Sequence, residues 1–313
     1  MDSRIRKRLE KQHYAIVGNH SGAKLCHWLK QSLIHKRTCY KQSFYGIESH
    51  RCLQMTPTLN QCTHSCLFCW RFQGFTETIL TEADDPQYIL DGLIKAQQKL
   101  ITGFKGDPRC ERKKWDEANQ PNMVACSLSG EPTLYPYLGE FFEACHKKGM
   151  TTFLVTNGTT PEVLEQLDPL PTQLYVSLIA PNKDIYSKLC NPLISDGWEK
   201  IQQTLELLPS LDTRTVIRHT LVNEWNIDDR FIDDYAKFIQ HADPDFVEPK
   251  GYVFVGQSRK RMTLDNMPTH EQIHHFGSIL SEKIGYPLTN EKSDSRVVLL
   301  SSGEKPDLIP KKH

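Results

Sequence analysis

Apolar, β-rich runs alternate with amphipathic helical runs from about residue 50 onward. The strands that this pattern predicts span 51–57, 122–128, 151–156, 172–179, 213–221 and 246–255, and the helical runs that follow them lie near 85–103, 135–148, 161–167, 195–208, 228–241 and 269–284. Several of these strands are apolar almost throughout, as parallel strands buried on both faces are. Six βα units joined by right-handed crossovers predict an α/β fold, a partial (β/α)6 TIM-like barrel.

Two segments flank the six units. Residues 1–50 predict helices and coil, an N-terminal extension to a barrel at 51–290, and residues 291–313 predict a C-terminal tail. A doubly wound sheet is the alternative arrangement of the same units. No Gly-x-Gly-x-x-Gly follows the first strand, which disfavours a dinucleotide-binding fold.

The composition is that of a globular protein, since 38% of the 313 residues are hydrophobic and 24% are charged. No apolar run approaches the roughly 20 residues of a membrane helix, and the first residues lack the apolar stretch of a secretion signal. We therefore expect a cytoplasmic protein without membrane contact. The ten cysteines are too few for a disulfide scaffold. In a reducing compartment they are better explained as ligands or catalytic groups.

Charge is unevenly distributed, although 38 basic and 38 acidic residues cancel. Residues 1–60 contain eleven Lys or Arg and three Asp or Glu, a net charge of +8. A second basic stretch runs from Lys99 to Lys114. A solvated charged surface and a nucleic-acid footprint are both consistent with this pattern.

The most specific motif is a Cys-x3-Cys-x2-Cys spacing, formed by Cys62, Cys66 and Cys69 in the loop after the first predicted strand. Three thiolates can hold three irons of a [4Fe–4S] cubane and leave the fourth iron open to a substrate or cofactor. A zinc site completed by His64 is the alternative, although zinc sites usually pair their ligands in Cys-x2–4-Cys arms.

The motif resembles that of the radical S-adenosylmethionine (SAM) enzymes, and two later strand ends agree with this resemblance. Gly130-Glu131-Pro132 ends the second strand and looks like the family's Gly-Glu-Pro motif, and Thr156-Asn157 ends the third. The resemblance implies a partial barrel of the radical SAM type with SAM bound at the open iron. It implies that Glu131 accepts from the methionyl ammonium, and that the other cofactor contacts come from Gly130, Pro132, Thr156, Asn157 and Ser177.

A second set of three cysteines, Cys26, Cys39 and Cys52, precedes this motif, with twelve residues between neighbours. The first two lie in a polar, basic stretch where burial of free thiols is not expected. We predict that the set binds a second [4Fe–4S] cluster with an open iron, and buried free thiols are the alternative. The remaining cysteines show no ligand spacing and are predicted to be structural: Cys110, Cys126, Cys145 and Cys190.

The two cysteine sets, together with Cys39-Tyr40-Lys41 and Glu248-Pro249-Lys250-Gly251, give a narrower resemblance, to the tRNA 4-demethylwyosine synthase family. This resemblance implies a radical condensation of N1-methylguanosine at position 37 of tRNA-Phe with two carbons of pyruvate. The second cluster would hold pyruvate, and Lys41 is a candidate for a Schiff base with it. A surface lysine is the alternative for Lys41, and Lys250 is the reserve candidate. A separate flavodoxin or ferredoxin is the expected electron donor, and a monomer is expected.

The basic segments are then the expected phosphate contacts for an anticodon arm. The residues predicted to bind RNA are Arg71, Lys113, Lys114, Arg259, Lys260 and Arg261. The target base would be flipped into the barrel mouth and stacked on Trp70 or Tyr45. Two other interpretations remain open: another radical SAM enzyme that modifies RNA, and a non-catalytic iron–sulfur protein that binds RNA or carries electrons.

Overall fold

The computed structural model describes residues 1–303. Within these residues, ten strands form one mixed sheet in the order β1-β2-β3-β4-β5-β6-β7-β8-β10-β9. The strands are β1 (Tyr14–Val17), β2 (Ser21–Lys24), β3 (Cys52–Thr56), β4 (Met123–Cys126), β5 (Thr151–Thr156), β6 (Gln173–Ser177), β7 (Arg214–Arg218), β8 (Phe246–Glu248), β9 (Leu288–Lys292) and β10 (Val297–Ser301). The helices are α1 (Ser3–Lys11), α2 (His27–Ile34), α3 (Tyr40–Tyr45), α4 (Pro86–Ile101), α5 (Arg112–Ala118), α6 (Leu138–Lys147), α7 (Pro161–Glu165), α8 (Lys183–Ile185), α9 (Gly197–Leu207), α10 (Ile232–Ala242) and α11 (His270–Ile284).

The predicted fold class is confirmed, because β3 to β8 pair in chain order and in parallel. Each of the six predicted strands overlaps one of them, and the predicted helical runs overlap α4, α6, α7, α9, α10 and α11. Consecutive parallel strands place all their carboxyl ends at the same edge of the sheet. The arrangement is a partial (β/α)6 barrel.

The last predicted strand is longer than the observed one. β8 ends at Glu248, whereas the apolar sequence continues to Val255. Residues 250–253 and Val255 instead line the cavity described below, where Val253 and Val255 are exposed. Apolarity alone does not distinguish a buried strand from a segment that lines a cavity.

The helices around the barrel begin and end at recognisable residues. Asp85 caps α4 by accepting from the Tyr88 amide at 2.8 Å. Thr269 and Gln272 form a capping box at the start of α11, which ends at Gly285 in the left-handed conformation. The helices pack on the outer face of the sheet, which leaves the inner face for the site. Within residues 1–303, no helix is both long and apolar enough to cross a membrane.

The N-terminal segment contains a hairpin that the sequence did not predict. β1 and β2 pair antiparallel, and β2 extends the sheet beside β3, where only helices and coil were expected. Each strand is four residues long. Such short strands, flanked by polar residues, carry too few positions for a period of two to be detected.

The lower end of the barrel, at the amino ends of the parallel strands, is closed by α3. Tyr40, Phe44 and Tyr45 pack among inward-facing side chains of β4 to β8 and of β10. Phe44 and Tyr45 are completely buried. We call residues 39–47 the barrel plug. The N-terminal extension is therefore an integral part of the barrel interior, and it places Lys41 there.

The C-terminal strands complete the other edge of the sheet. β10 pairs antiparallel with both β8 and β9, so residues 288–301 belong to the sheet. Of the predicted tail, residues 304–313 lie outside the described residues. The division of the chain at residues 50 and 290 stays a prediction.

Candidate active site

A cavity of about 420 Å³ opens at the carboxyl ends of the parallel strands. Its wall includes the three cysteines of the Cys-x3-Cys-x2-Cys motif and residues that end or follow β4, β5, β6 and β7. The predicted site residues that line it are Cys62, Cys66, Cys69, Arg71, Gly130, Glu131, Pro132, Thr156, Asn157, Ser177 and Lys250. The structure thus brings together groups that the sequence placed at successive strand ends.

The loop that carries these cysteines, residues 59–71 (the cluster loop), is held on one side by a short strap, residues 189–193. Three backbone hydrogen bonds join the two segments in the pattern of an antiparallel pair. They run from Ser65 N to Asn191 O at 3.0 Å, from Leu67 N to Leu189 O at 3.0 Å and from Leu193 N to Thr63 O at 2.8 Å. These hydrogen bonds to the strap therefore fix the conformation of the cluster loop.

Two arginines that were predicted to bind RNA support the cluster loop. Arg71 is 3% exposed and donates to the His64 carbonyl at 3.4 Å. Arg261 donates to the carbonyls of Leu67 and Cys69. Because Arg71 is buried, we correct the predicted RNA contact at this position, whereas the contact at the partly buried Arg261 stays a prediction.

Burial favours the neutral form of the Cys62 and Cys69 thiols. It raises the pKa of Cys62 to about 12, although the nearby Arg71 guanidinium acts in the opposite direction. Iron binding at these thiols would have to displace their protons. Arg71 then places a positive charge beside the thiolates, as a buried anionic cluster requires.

Glu131 is buried and held by three neighbouring residues. Its Oε1 accepts from the Thr156 hydroxyl at 2.7 Å and from the Thr133 hydroxyl at 2.8 Å. Its Oε2 accepts from the Asn157 amide at 2.7 Å. Burial raises the pKa of Glu131, and these hydrogen bonds oppose that shift. A carboxylate oxygen accepts two hydrogen bonds, so Oε2 retains capacity for one donor from the cavity.

Asn157 also connects this network to the cluster loop. Its side-chain amide donates to the Thr63 hydroxyl at 2.8 Å and lies 3.9 Å from Cys62 Sγ. Thr156 and Asn157 therefore hold Glu131 and the cluster loop in place, in addition to lining the cavity.

The packing of the chain requires a glycine at position 130. Its φ is +70°, and a Cβ at this position would lie 1.7 Å from the Thr58 carbonyl oxygen. The close approach is to the chain just before the cluster loop, while the predicted contact of Gly130 with the cofactor stays a prediction.

The second cysteine set gathers at the barrel plug from three elements. Cys26 precedes α2, Cys39 precedes α3 and Cys52 begins β3, and each is partly buried. Burial, followed by the neighbouring Cys26, raises the pKa of Cys39 to about 12. The pKa of Cys52 is raised by burial and then by Cys26 and Cys39. Thiols that oppose one another's ionisation lie close together, as the ligands of one cluster must.

Lys41 lies inside the barrel and is 8% exposed. Its Nζ lies over the rings of Tyr175 at 4.1 Å and Phe153 at 4.7 Å. Burial, followed by the positive charge of Arg218, lowers the pKa of Lys41 to about 8. The alternative of a surface lysine is therefore wrong. At neutral pH Lys41 has a nucleophilic fraction that an ordinary lysine lacks.

Lys250, the reserve candidate, is engaged with the C-terminal part of the chain. It lines the cavity, and its Nζ donates to the Ser295 carbonyl at 2.5 Å. Burial, followed by the charge of Arg218, lowers the pKa of Lys250 to about 8. Its amine shares the low basicity of Lys41, but a hydrogen bond already fixes it.

Arg218 and Glu248, to which the sequence assigned no role, complete the base of the site. Glu248 accepts from the Tyr45 hydroxyl at 2.7 Å and the Tyr40 hydroxyl at 3.1 Å. Arg218 Nε lies 3.6 Å from a Glu248 oxygen. Arg218 lines the cavity, and its buried Nε and Nη2 have no hydrogen-bond partner within residues 1–303. Its position at the carboxyl end of β7 was the signal available in the sequence.

The surroundings of His64 disfavour the zinc alternative. His64 Nε2 lies 2.7 Å from the Tyr186 hydroxyl, and burial lowers the pKa of His64 to about 4. In the described part of the chain, no group of three or more His, Cys, Asp or Glu side chains could hold a metal ion. A cubane instead needs three thiolates spread around a four-iron core, and each cysteine set supplies that donor type.

Two of the basic residues predicted to bind RNA lie beside the cavity mouth. Arg259 and Lys260 are exposed, on a turn whose Gln257 amide donates to the Trp70 carbonyl at 2.8 Å. Trp70 lines the cavity. Tyr45, the other residue proposed to stack the base, is completely buried, so this expectation is corrected.

Lys113 and Lys114 lie at the opposite end of the barrel. They belong to α5, which is tied to the segment before β3 by a 2.7 Å hydrogen bond between His50 and Glu117. That segment precedes the amino end of β3, whereas the cavity lies beyond the carboxyl ends. The structure does not bring these two lysines to the mouth.

Comparisons with known proteins place the chain in a family. Residues 56–235 match the model described as the radical SAM superfamily, and residues 241–302 match the one described as wyosine base formation. A relative from Pyrococcus abyssi, named S-adenosyl-L-methionine-dependent tRNA 4-demethylwyosine synthase, is 53% identical over 306 residues, which cover 96% of this chain and 89% of the relative. The chain belongs to the tRNA 4-demethylwyosine synthase family. The resemblance predicted from the motifs is confirmed.

Other 4-demethylwyosine synthases agree with this placement. The relative from Methanocaldococcus jannaschii is 40% identical, with 95% of this chain and 96% of the relative covered. A solved structure described as TYW1 with a lysine–pyruvate adduct bound superimposes with a TM-score of 0.89 at 38% identity, covering 98% of this chain and 99% of that one. Membership of the radical SAM enzymes implies SAM and a [4Fe–4S] cluster as cofactors.

Proposed function

We propose that this chain forms 4-demethylwyosine in tRNA by condensing N1-methylguanosine at position 37 of tRNA-Phe with two carbons of pyruvate. The observation that carries the proposal is Lys41, a buried amine beside the second cysteine set in the barrel whose mouth holds the first set. A radical transfer of a methyl group alone would need no such amine.

We assign the radical SAM cluster to Cys62, Cys66 and Cys69, and a second [4Fe–4S] cluster to Cys26, Cys39 and Cys52. When bound, SAM supplies a 5′-deoxyadenosyl radical that removes hydrogen from the N1 methyl group of the base. Glu131 Oε2 would accept from the SAM ammonium, and the adjoining wall would contact the rest of the cofactor through Gly130, Pro132, Thr156, Asn157 and Ser177. The enclosed cavity keeps water away from the reacting carbon.

Lys41 provides the covalent anchor for pyruvate. Its neutral Nζ adds to the C2 ketone carbon and water leaves, so that an imine joins Nζ to C2. The rings of Tyr175 and Phe153 flank Nζ and limit the directions from which the ketone can approach. The lysine–pyruvate adduct in the related TYW1 structure supports this assignment.

The buried charges at the base of the cavity fit an anionic substrate. Lys41, Arg218 and Lys250 bring three positive charges near the single carboxylate of Glu248. Such an excess is costly unless anions balance it. The second thiolate-bound cluster and the pyruvate carboxylate would do so, and we assign that carboxylate to the unpartnered donors of Arg218.

The RNA surface is the exposed positive charge that flanks the cavity mouth, on α1 and on the turn at residues 256–260. α1 packs through Ile5 and Leu9 against residues that follow β3 and β4, which places its polar face at the mouth. We name these exposed cations the basic rim: Lys7, Lys11, Arg259 and Lys260. The target base would flip into the cavity past Trp70.

A separate protein of flavodoxin or ferredoxin type would supply the electron for the radical SAM cluster. We propose that the enzyme is a monomer and that it works in the cytoplasm, where tRNA and pyruvate are both available. These three expectations stay predictions.

Iron and sulfide analysis after anaerobic reconstitution tests the ligand assignment. Wild-type protein should hold about eight irons, and Cys26→Ala and Cys62→Ala should hold about four each. Cys145→Ala, which alters a buried cysteine of the outer core, should keep about eight. About four irons in the wild type, unchanged by Cys26→Ala, would remove the second cluster.

Borohydride reduction with labelled pyruvate tests the anchor. Wild-type protein should carry the label on Lys41, Lys41→Arg should carry none, and Lys250→Arg should be labelled like the wild type. An unlabelled wild-type protein would rule out the Schiff base.

An assay of the product tests the reaction as a whole. With pyruvate, SAM, a reductant and N1-methylguanosine-containing tRNA, mass spectrometry should detect 4-demethylwyosine, and its absence would overturn the function.

A further inference from the structure

The strap that pairs with the cluster loop brings a fourth cysteine to the radical SAM cluster site. The hydrogen bonds between the two segments follow a single antiparallel register, and a β-bridge joins His64 to Pro192 in the same register. Cys66 therefore lies directly opposite Cys190. Residues 65 and 67 make the backbone hydrogen bonds, so Cys66 occupies a non-hydrogen-bonded position, where facing side chains approach most closely.

Cys190 is enclosed, and its thiol is directed at the cluster site. It is 1% exposed and lines the same cavity as Cys66. The Cys66 and Cys190 side chains therefore face each other in the wall of this cavity, and the neighbouring Cys190 thiol, together with burial, raises the pKa of Cys66. The sequence predicted only a structural role for Cys190, because its spacing from the other cysteines carries no pattern.

We propose that Cys190 donates a hydrogen bond to the Cys66 thiolate in the cluster-loaded enzyme and thereby raises the reduction potential of the radical SAM cluster. Cys66 loses its proton when it binds iron, so Cys190 alone retains an S–H group to donate. A donor withdraws electron density from the thiolate and stabilises the reduced, more negative cluster. Cys190 is thus a positioning residue, and the inference rests on the proposed ligand set.

Two substitutions separate the hydrogen bond from the volume of the side chain. Cys190→Val fills the space without a donor, whereas Cys190→Ser keeps a donor of similar size. The measurement is an anaerobic redox titration of the holoenzyme followed by electron paramagnetic resonance, with the relevant signal identified by its change when SAM is added. We expect a more negative midpoint for Cys190→Val and a wild-type or more positive one for Cys190→Ser. The control Cys145→Val should leave the midpoint unchanged.

Equal midpoints in the wild type, Cys190→Val and Cys190→Ser would overturn the inference. A cluster that responds to SAM only after Cys190→Val would also overturn it, because Cys190 would then be a fourth iron ligand. If Cys190→Val disturbs cluster loading, Cys190→Ala replaces it in the titration, because it removes the donor without adding volume. If Cys62→Ala left the SAM-responsive signal intact, the ligand assignment would fail instead, so the two failures are distinguishable.

Discussion

At the scale of single residues, Lys41 owes its reactivity to where the fold places it. A lysine in a basic, polar segment would ordinarily titrate near 10.4, but burial and Arg218 lower the pKa of Lys41 to about 8. The sequence identified Lys41 by its separation of two residues from Cys39, and it left a surface position open. Burial could not be predicted, because the rings that enclose Nζ come from β5 and β6, far along the chain.

The rate of Schiff-base formation should follow the ionisation of Lys41. Because the protonated amine is not nucleophilic, the rate of pyruvate labelling should rise about tenfold from about pH 6 to about pH 7 and level off above about pH 8. Arg218→Met should move the plateau to higher pH, since the positive charge of Arg218 lowers the pKa of Lys41, and Arg218→Lys should not. A wild-type rate still rising steeply at about pH 10 would contradict the buried position.

Gly130→Ala should destabilise the protein by about 2 kcal/mol or more, because the new methyl group would meet the Thr58 carbonyl at a positive φ. Chemical denaturation of the cluster-free protein measures the change in the free energy of unfolding. Gly103→Ala is the matched control, since nothing lies within 4 Å of a Cβ at that position, and it should change stability by less than about 0.5 kcal/mol. Equal effects of the two substitutions would refute the steric account.

At the scale of elements, the barrel plug shows which parts of a fold escape prediction. All six βα units were predicted, because strands and helices alternate regularly there, and even α7, with five residues, lies between two recognisable strands. The plug helix has six residues, fewer than two turns, so it shows no amphipathic period. Its aromatic side chains become a core only because the barrel offers them an interior, and this depends on strands that are distant in sequence.

Phe44→Ala should disturb the second cluster while it spares the first. Removing a completely buried phenylalanine costs about 3–5 kcal/mol, and the loosened plug should lower the iron content from about eight towards about four per chain. Phe142→Ala, equally buried but in the core between helices and sheet, should cost similar stability and keep both clusters. Equal iron loss in both variants would show that general destabilisation is the cause.

At the scale of the whole molecule, affinity for RNA must come from the distribution of charge, because basic and acidic residues balance. The sequence shows that the first 60 residues carry an excess of positive charge, but it does not show where these residues lie in the fold. The fold separates this charge into the basic rim at the mouth, buried groups such as Lys41, and cations at the lower end. Sequence alone could not sort these, since neighbouring basic residues in the chain face different parts of the barrel.

Charge reversal should distinguish the two ends of the barrel. The double variant Lys7→Glu/Lys11→Glu should weaken tRNA binding about tenfold or more and reduce the slope of log affinity against log salt by about two. Lys113→Glu/Lys114→Glu should leave affinity within about twofold. Fluorescence anisotropy with labelled tRNA at several salt concentrations measures both. Equal losses would mean that RNA also covers the lower end.

The barrel plug also imposes an order of events during synthesis. Residues 39–47 leave the ribosome early, but the side chains that they pack against include those of β8 and β10, which are made last among the described strands. Asn290, on β9, also donates to the Ser43 carbonyl at 3.3 Å. The plug can therefore pack fully only after β8 and β10 have been synthesised, so the lower end of the barrel closes late in the folding of the chain.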